Sequence, residues 1–325
     1  MRAFSLLLAI TVISFSAVSH AETRLFENSV IVFASVSEGR GILVARDDFI
    51  QRLSPFDRSA RMKTDKDVSE ADFLKFVGDN VLAWNEQERQ KVEAAIRAIQ
   101  PRLSILSVPL PDKVYVIKTT GKEEGGASYT RANAVVIPKA KLEEDIREIQ
   151  KLICHELFHI ATRQNPTLQE RLYETIGFRK CNEVEFPSML KSRKITNPDA
   201  PKNDHYISMQ VGAKPAWAVP VLFAGRERYD VNRGGEFFDY LQFRLLLVAQ
   251  SGDRGVVTPL YDGVSPRLVD VQQVSGFVEQ VGENTDYIIH PEEILADNFV
   301  LLVLKDQAAR SPEVLSKMRA VLLKK

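Results

Sequence analysis

Residues 155–159 read His-Glu-Leu-Phe-His. On an α-helix, side chains four positions apart stand on one face with Cβ atoms about 5–6 Å apart. Two imidazoles so placed can reach one metal ion at about 2.0–2.1 Å. Glu156 is one step on, about 100° round the helix, so it borders such an ion without binding it. There it can take a proton from a water that the ion has acidified. The chemistry this spacing suits is metal-assisted hydrolysis. Packing alone gives no reason for two histidines on one helix face, because Ile or Leu buries at lower cost. A catalytic zinc takes three protein ligands and keeps one position open. His205, His290, Cys181 and the carboxylates, among them Glu170 and Glu174 just after the motif, are the candidates for the third.

The histidines share a face only if their surroundings are helical. Ile146, Ile149, Leu152, Ile153 and Ile160 recur at three- and four-residue steps, which predicts a helix over 142–163. Strands are predicted at 114–118 (VYVIK) and 134–137 (AVVI), joined by a segment containing Gly121, Gly125 and Gly126. The second strand enters the motif helix through Pro138, either as an internal strand or as an edge on which an extended peptide could pair. Upstream, 29–34 and 41–45 read as a strand hairpin. Ser69 and Asp72 begin a helix over 72–84, and a further helix over 86–100 ends at Pro101. Downstream, the Pro-, Gly- and Asn-rich stretch of about 182–235 predicts extended or loop-like structure. Helices are expected at 237–250, at 291–304 with Pro in the first turn, and from 312 to about 323. The class is α+β. Residues 22–164 form a sheet-bearing lobe ending in the motif helix, and 165–325 form a helix-rich C-terminal lobe.

Residues 290–297 read His-Pro-Glu-Glu-Ile-Leu-Ala-Asp. His155-Glu156-x-x-His159, followed downstream by a helical Glu-x-x-x-Asp, resembles the gluzincin metallopeptidases, the thermolysin-like group. The resemblance covers these two helices and the strand before the first. It implies a zincin-like fold, Zn²⁺ as cofactor, a peptide or protein substrate, and His155, His159 and Glu293 as ligands. It also implies Glu156 as general base and Asp297 as the carboxylate that orients a ligating imidazole, that of His155. The spacing has its own rationale: 293 and 297 face one side of their helix, so one carboxylate can bind the ion while the other accepts an imidazole N–H. Glu292 would pair instead with Ala296, which accepts nothing. Acids at 292 and 293 also suit the positive end of a helix dipole, and His290 reads as a cap-like neighbour. Glu293 lies far beyond the usual distance from the motif, so the stretch of about 182–235 is an insertion, expected as a lid or a second subsite wall. Peptide hydrolysis also needs a donor to the developing oxyanion; His205 and Tyr206 are the first expectation and Tyr287 the second.

The chain has 325 residues with 43 basic and 43 acidic side chains. Zero net charge argues against nucleic acid as a partner, since no basic excess can neutralise phosphates. Two cysteines exclude a disulfide-rich scaffold and a four-thiolate zinc site; Cys154 and Cys181 either pair or remain separate buried thiols. Residues 1–21 carry Arg2, an apolar run and a small-residue end at Ala21, the pattern of a signal peptide cleaved after Ala21. The mature chain is then secreted or periplasmic, with no stable membrane insertion. Arg58 and Arg61 flank either a processing site or a solvated loop. The expected function is a secreted zinc metallopeptidase. Its rivals are a zinc hydrolase of a non-peptide amide and a non-catalytic secreted zinc-binding protein.

Overall fold

The computed structural model describes residues 23–26, 28–252, 255–305 and 309–323; the 1–21 segment lies outside them. The chain opens with strands β1 (Thr23–Phe26) and β2 (Ser29–Phe33), then helices α1 (Val36–Leu43), α2 (Asp48–Arg52), α3 (Pro55–Arg61) and α4 (Glu70–Asp79). Strand β3 (Val81–Leu82), helix α5 (Glu86–Leu103) and strands β4 (Lys113–Thr119), β5 (Tyr129–Arg131) and β6 (Ala134–Pro138) follow. The six strands form one sheet in the order β1-β2-β4-β6-β5, with β3 on β4. Strands β2, β4 and β6 are parallel; β1 and β5 run antiparallel at the edges.

Alternation along these strands supplies two cores. Val114, Val116, Val135 and Ile137 pack with α5 and with helix α6 (Ile146–Gln164), whereas Ile117, Ala134 and Val136 pack with Leu43, Phe49, Phe73 and Val77 on the other face. The connection from β4 to β5 is a short 3₁₀ turn flanked by Gly121 and Gly125 at φ 83° and 61°, left-handed conformations that glycine adopts without penalty.

Four N-terminal expectations change. Residues 41–43 belong to α1, because Ser35 and Glu38 form a reciprocal cap that starts a helix at Val36. The helix beginning after Ser69 stops at Asp79, and residues 81–82 turn into the sheet. Pro101 does not end α5: the last turn still closes through the Ser104 N–H to the Gln100 carbonyl at 2.9 Å. Residues 58–61 are not a solvated loop. They lie in α3, where the Arg61 guanidinium is fully buried and bonded to Asp57 (2.7 Å) and Glu124 (2.5 Å).

After α7 (Pro166–Glu174), β7 (Phe178–Lys180) and α8 (Ser188–Lys191), the region read as extended or loop-like holds two strands, β8 (His205–Val211) and β9 (Lys214–Ala224). Residues 237–250 form a 3₁₀ turn and strand β10 (Leu241–Gln250), not a helix. With β11 (Val257–Pro259), β14 (Leu268–Val269) and β15 (Val274–Ser275), the C-terminal half carries a second sheet of seven strands, ordered β11-β10-β9-β8-β15 with β14 on β10 and β7 on β8, while β12 (Tyr261–Asp262) and β13 (Ser265–Pro266) form a hairpin of their own. This half is therefore not the helix-rich lobe expected. Eight consecutive residues of β10 pair with β9, from Leu241↔Ala224 to Val248↔Trp217. Leu245 and Leu247 face one core while Leu246 and Val248 face another. A strand buried on both faces reads as an unbroken apolar run, which periodicity cannot tell from a buried helix. Pro215 and Pro220 inside β9 hid that strand too.

Helices α9 (Val278–Val281), α10 (Pro291–Leu304) and α11 (Pro312–Leu322) close the chain. Helix α10 is buried nearly all round and lies against α6, with the rings of Phe158 and Phe299 5.5 Å apart. No described helix is long and apolar enough to cross a membrane. Cys154 and Cys181 are both free and buried, in different cores, so the disulfide alternative falls. Truncating the fully buried Phe299 to Ala is expected to cost ~3–5 kcal/mol in a urea denaturation series.

Candidate metal centre

Helix α6 starts at Asp145, whose carboxylate accepts the N–H groups of Arg147 (2.7 Å) and Glu148 (3.1 Å). Helix α10 starts at His290, whose Nδ1 accepts the Glu292 N–H at 3.1 Å, so His290 is a cap. The two helices bring both halves of the proposed ligand set face to face. His155 Nδ1 lies 3.0 Å from Asp297 Oδ1, and His159 Nδ1 lies 3.0 Å from Glu292 Oε1. Ionised carboxylates only accept, so each ring donates from Nδ1, which leaves Nε2 free to serve as a ligand. His155 Nε2 is 3.1 Å and His159 Nε2 is 3.6 Å from the same atom, Glu293 Oε2. One ligand atom from each of His155, His159 and Glu293 falls within 4.8 Å of the others.

The fit to a cation can be tested on buried polar atoms. Among the described residues, His159 Nε2 and Glu156 Oε2 are buried with no hydrogen-bond partner. Each orphan is costly in a dry interior, and both face a group of carboxylates. Two imidazole nitrogens and one carboxylate oxygen are a donor set that suits zinc. The residues present fit such an ion.

The network behind the ligands is dense. Glu292 also accepts from Thr162 Oγ1 (2.5 Å), the Tyr173 hydroxyl (2.5 Å) and Gln169 Nε2 (3.2 Å). Asn197 Nδ2 donates to Glu293 Oε1 at 2.6 Å, and the Thr285 hydroxyl donates to Asp297. Burial alone would depress both imidazoles, but the carboxylates prevail. Hydrogen bonds to Asp297 and Glu293 hold His155 well above its usual value, and Asp199 and Glu293 raise His159 to about 9. Burial works to lift Glu292 and Glu293 as well, yet both are held below the ordinary range, mainly by His159. Glu156 goes the other way: burial, and then the nearby Asp199 charge, push it up to about 8.

A cavity of about 600 Å³ opens over His155, Glu156, Glu293 and Asp297. Ile195, Leu222, Phe238, Leu241, Val300 and Leu304 are among the apolar side chains lining it. Tyr287 lines it as well; His205 and Tyr206 do not. They lie on strand β8, not on a loop. His205 is buried with Nδ1 2.7 Å from Asp204 Oδ1, and the Tyr206 hydroxyl accepts from Gln250 at 3.1 Å. Glu170 and Glu174 point to solvent, and Cys181 belongs to a separate apolar core. Strand β6 is internal, flanked by β4 and β5, so it offers no free edge.

Sequence reasoning missed Glu292, Asn197 and Asp199. Glu292 was passed over because its partner four residues on is Ala296. The overlooked signal was that His159 needs an acceptor of its own, and Glu292 supplies it from the first turn of α10. Asn197 and Asp199 sit in an aperiodic loop and carry no signal in the sequence. No protein-family model matches the chain, and no curated protein and no solved structure matches it.

Protons occupy the imidazoles that a cation would need. Apparent zinc affinity is therefore expected to climb with pH from the ordinary imidazole range up to at least about 9, where His159 gives up its proton unaided. A chelator-competition titration at a series of pH values measures this, and a flat profile over the rising limb would contradict it.

Proposed function

We propose that the chain is a secreted or periplasmic zinc-dependent peptidase of the gluzincin type, with a zincin-like catalytic lobe. The observation that carries the reading is the pair of imidazoles, each tied through Nδ1 to a carboxylate of α10 and aimed through Nε2 at one oxygen of Glu293. In this reading His155, His159 and Glu293 hold the ion, while Asp297 and Glu292 fix the tautomer and tilt of the two rings. When bound, zinc supplies Lewis acidity that polarises a carbonyl and acidifies water at an open position.

The chain's own groups do the rest. Glu156 stands at the cavity floor with one carboxylate oxygen unengaged. It takes the proton of the attacking water and returns it to the leaving amine, as a general base and then a general acid. Its raised pKa comes from burial and neighbouring carboxylates, and a nearby cation would act in the opposite sense. Tyr287, on the cavity wall, is the residue we assign to the oxyanion. The apolar wall from Leu222, Leu241 and Val300 suits a hydrophobic substrate side chain and excludes water from the reacting centre.

Elemental analysis of the purified chain and mass spectrometry of a digested peptide mixture test the reading. Glu156→Gln is expected to retain zinc and lose ~10²–10⁴-fold in rate, whereas His155→Ala loses the metal. An active Glu156→Gln variant sinks the mechanism. Tyr287→Phe is expected to lower kcat by ~10²-fold with KM little changed; a kcat equal to the parent's removes Tyr287 from the role.

A further inference from the structure

The turn at residues 197–199 enters the cleft from the segment between α8 and β8. Its base is anchored: the Ile195 N–H bonds the Leu222 carbonyl at 2.9 Å, and the Thr196 N–H bonds Asp57 at 3.1 Å. Its tip reaches the ligands, with Asn197 Nδ2 on Glu293 Oε1 and its own Oδ1 accepting the Asp199 N–H at 2.9 Å. The Asp199 side chain is 7% exposed. One of its oxygens lies within 4.8 Å of a His159 nitrogen and a Glu156 oxygen. Glu156 and Asp199 thus form with His159 a second cluster, which shares His159 with the His155 and Glu293 set, and the Arg163 guanidinium stands 3.6 Å from Asp199 Oδ1. A cation held through His159 Nε2 would lie within reach of Asp199 and would relieve the cost of burying its carboxylate.

The same aspartate also blocks the sheet. Thr130 is the middle residue of β5, the edge strand on this side. Its N–H donates to Asp199 Oδ1 at 2.8 Å and its hydroxyl bonds the same atom. Arg163 braces the turn through Nη2, 3.4 Å from the Asp199 carbonyl. The edge N–H with which an extended peptide would pair is therefore already taken.

We propose that Asp199 is a fourth protein ligand of the ion in the resting chain, and that the 197–199 turn is a latch that leaves before substrate enters. This rests on the reading that His155, His159 and Glu293 hold a metal. The latch closes two places with one side chain: the open coordination position and the β5 edge. Withdrawal frees both, so the substrate it admits is an extended peptide that gains a metal contact and a strand contact together.

The full-length chain loaded with cobalt(II) tests this without reference to turnover. Visible absorption reports the ion's coordination, chelator competition reports affinity, and acetohydroxamate serves as a small probe of an open position. Asp199→Asn keeps an oxygen for Thr130 while removing the anionic ligand. It is expected to change the cobalt spectrum, weaken affinity by ~10–100-fold, and bind acetohydroxamate more tightly than the parent. Asn197→Ala leaves Asp199 intact but unties the turn from Glu293, and is expected to bind the probe more tightly as well. If the parent binds cobalt and Asp199→Asn matches it in spectrum, affinity and probe binding, the latch is overturned while the metal site stands. If the parent binds no cobalt, both are overturned.

Discussion

The pairing of His155 with Asp297 and of His159 with Glu292 ties α6 to α10, and the geometry of the cleft depends on it. Without those acceptors the rings would be free in tautomer and in tilt, and two Nε2 atoms would have no reason to converge. The pairing also settles the energetics of an unusual helix. Glu292 and Glu293 are almost fully buried in the first turn of α10, where a lone carboxylate would be expensive. Glu292 meets that cost with four hydrogen bonds, from His159, Thr162, Tyr173 and Gln169. Removing any one partner would strand a buried charge, so the network behaves as a unit.

Charge balance follows from the same arrangement. Glu156, Glu292, Glu293, Asp297 and Asp199 surround two imidazoles. Hydrogen bonds and charges from these carboxylates raise both imidazoles, and burial followed by the Asp199 charge raises Glu156. The two carboxylates that face Nδ1 atoms, Asp297 and Glu292, are engaged by the rings, whereas Glu293, Glu156 and Asp199 lie on the Nε2 side or beside it.

The second sheet gives the cleft its far wall. The long stretch between the motif helix and α10 folds into strands β8, β9 and β10, and its apolar side chains Leu222 and Leu241 face the cavity opposite Val300 and Leu304 of α10. The same stretch sends in the 197–199 turn. One stretch of chain therefore supplies both a wall of the pocket and the turn that reaches Glu293. The edge strand β5, the motif helix and this turn meet at Thr130, Arg163 and Asp199, where the Asp199 carboxylate takes the N–H of the sheet edge.

Local sequence carried the parts whose signals are local. The i, i+4 histidines, the apolar steps of α6, the Pro-led start of α10 and the β-branched runs of β4 and β6 are each written within a few residues, and each is found where expected. The choice of Glu293 with Asp297, implied by the resemblance, also had a rationale in helical spacing. Residues 237–250 failed because a strand sandwiched between two cores has no polar face to reveal its period, and residues 41–43 failed because a cap at Ser35 outweighed β-branched composition. Glu292 against His159, Asn197 on Glu293 and Asp199 beside Glu156 join residues remote along the chain. Only the packing of α6 on α10, and of the second sheet against both, brings those groups together, since the energy of such contacts depends on distances in space that no spacing along one segment encodes.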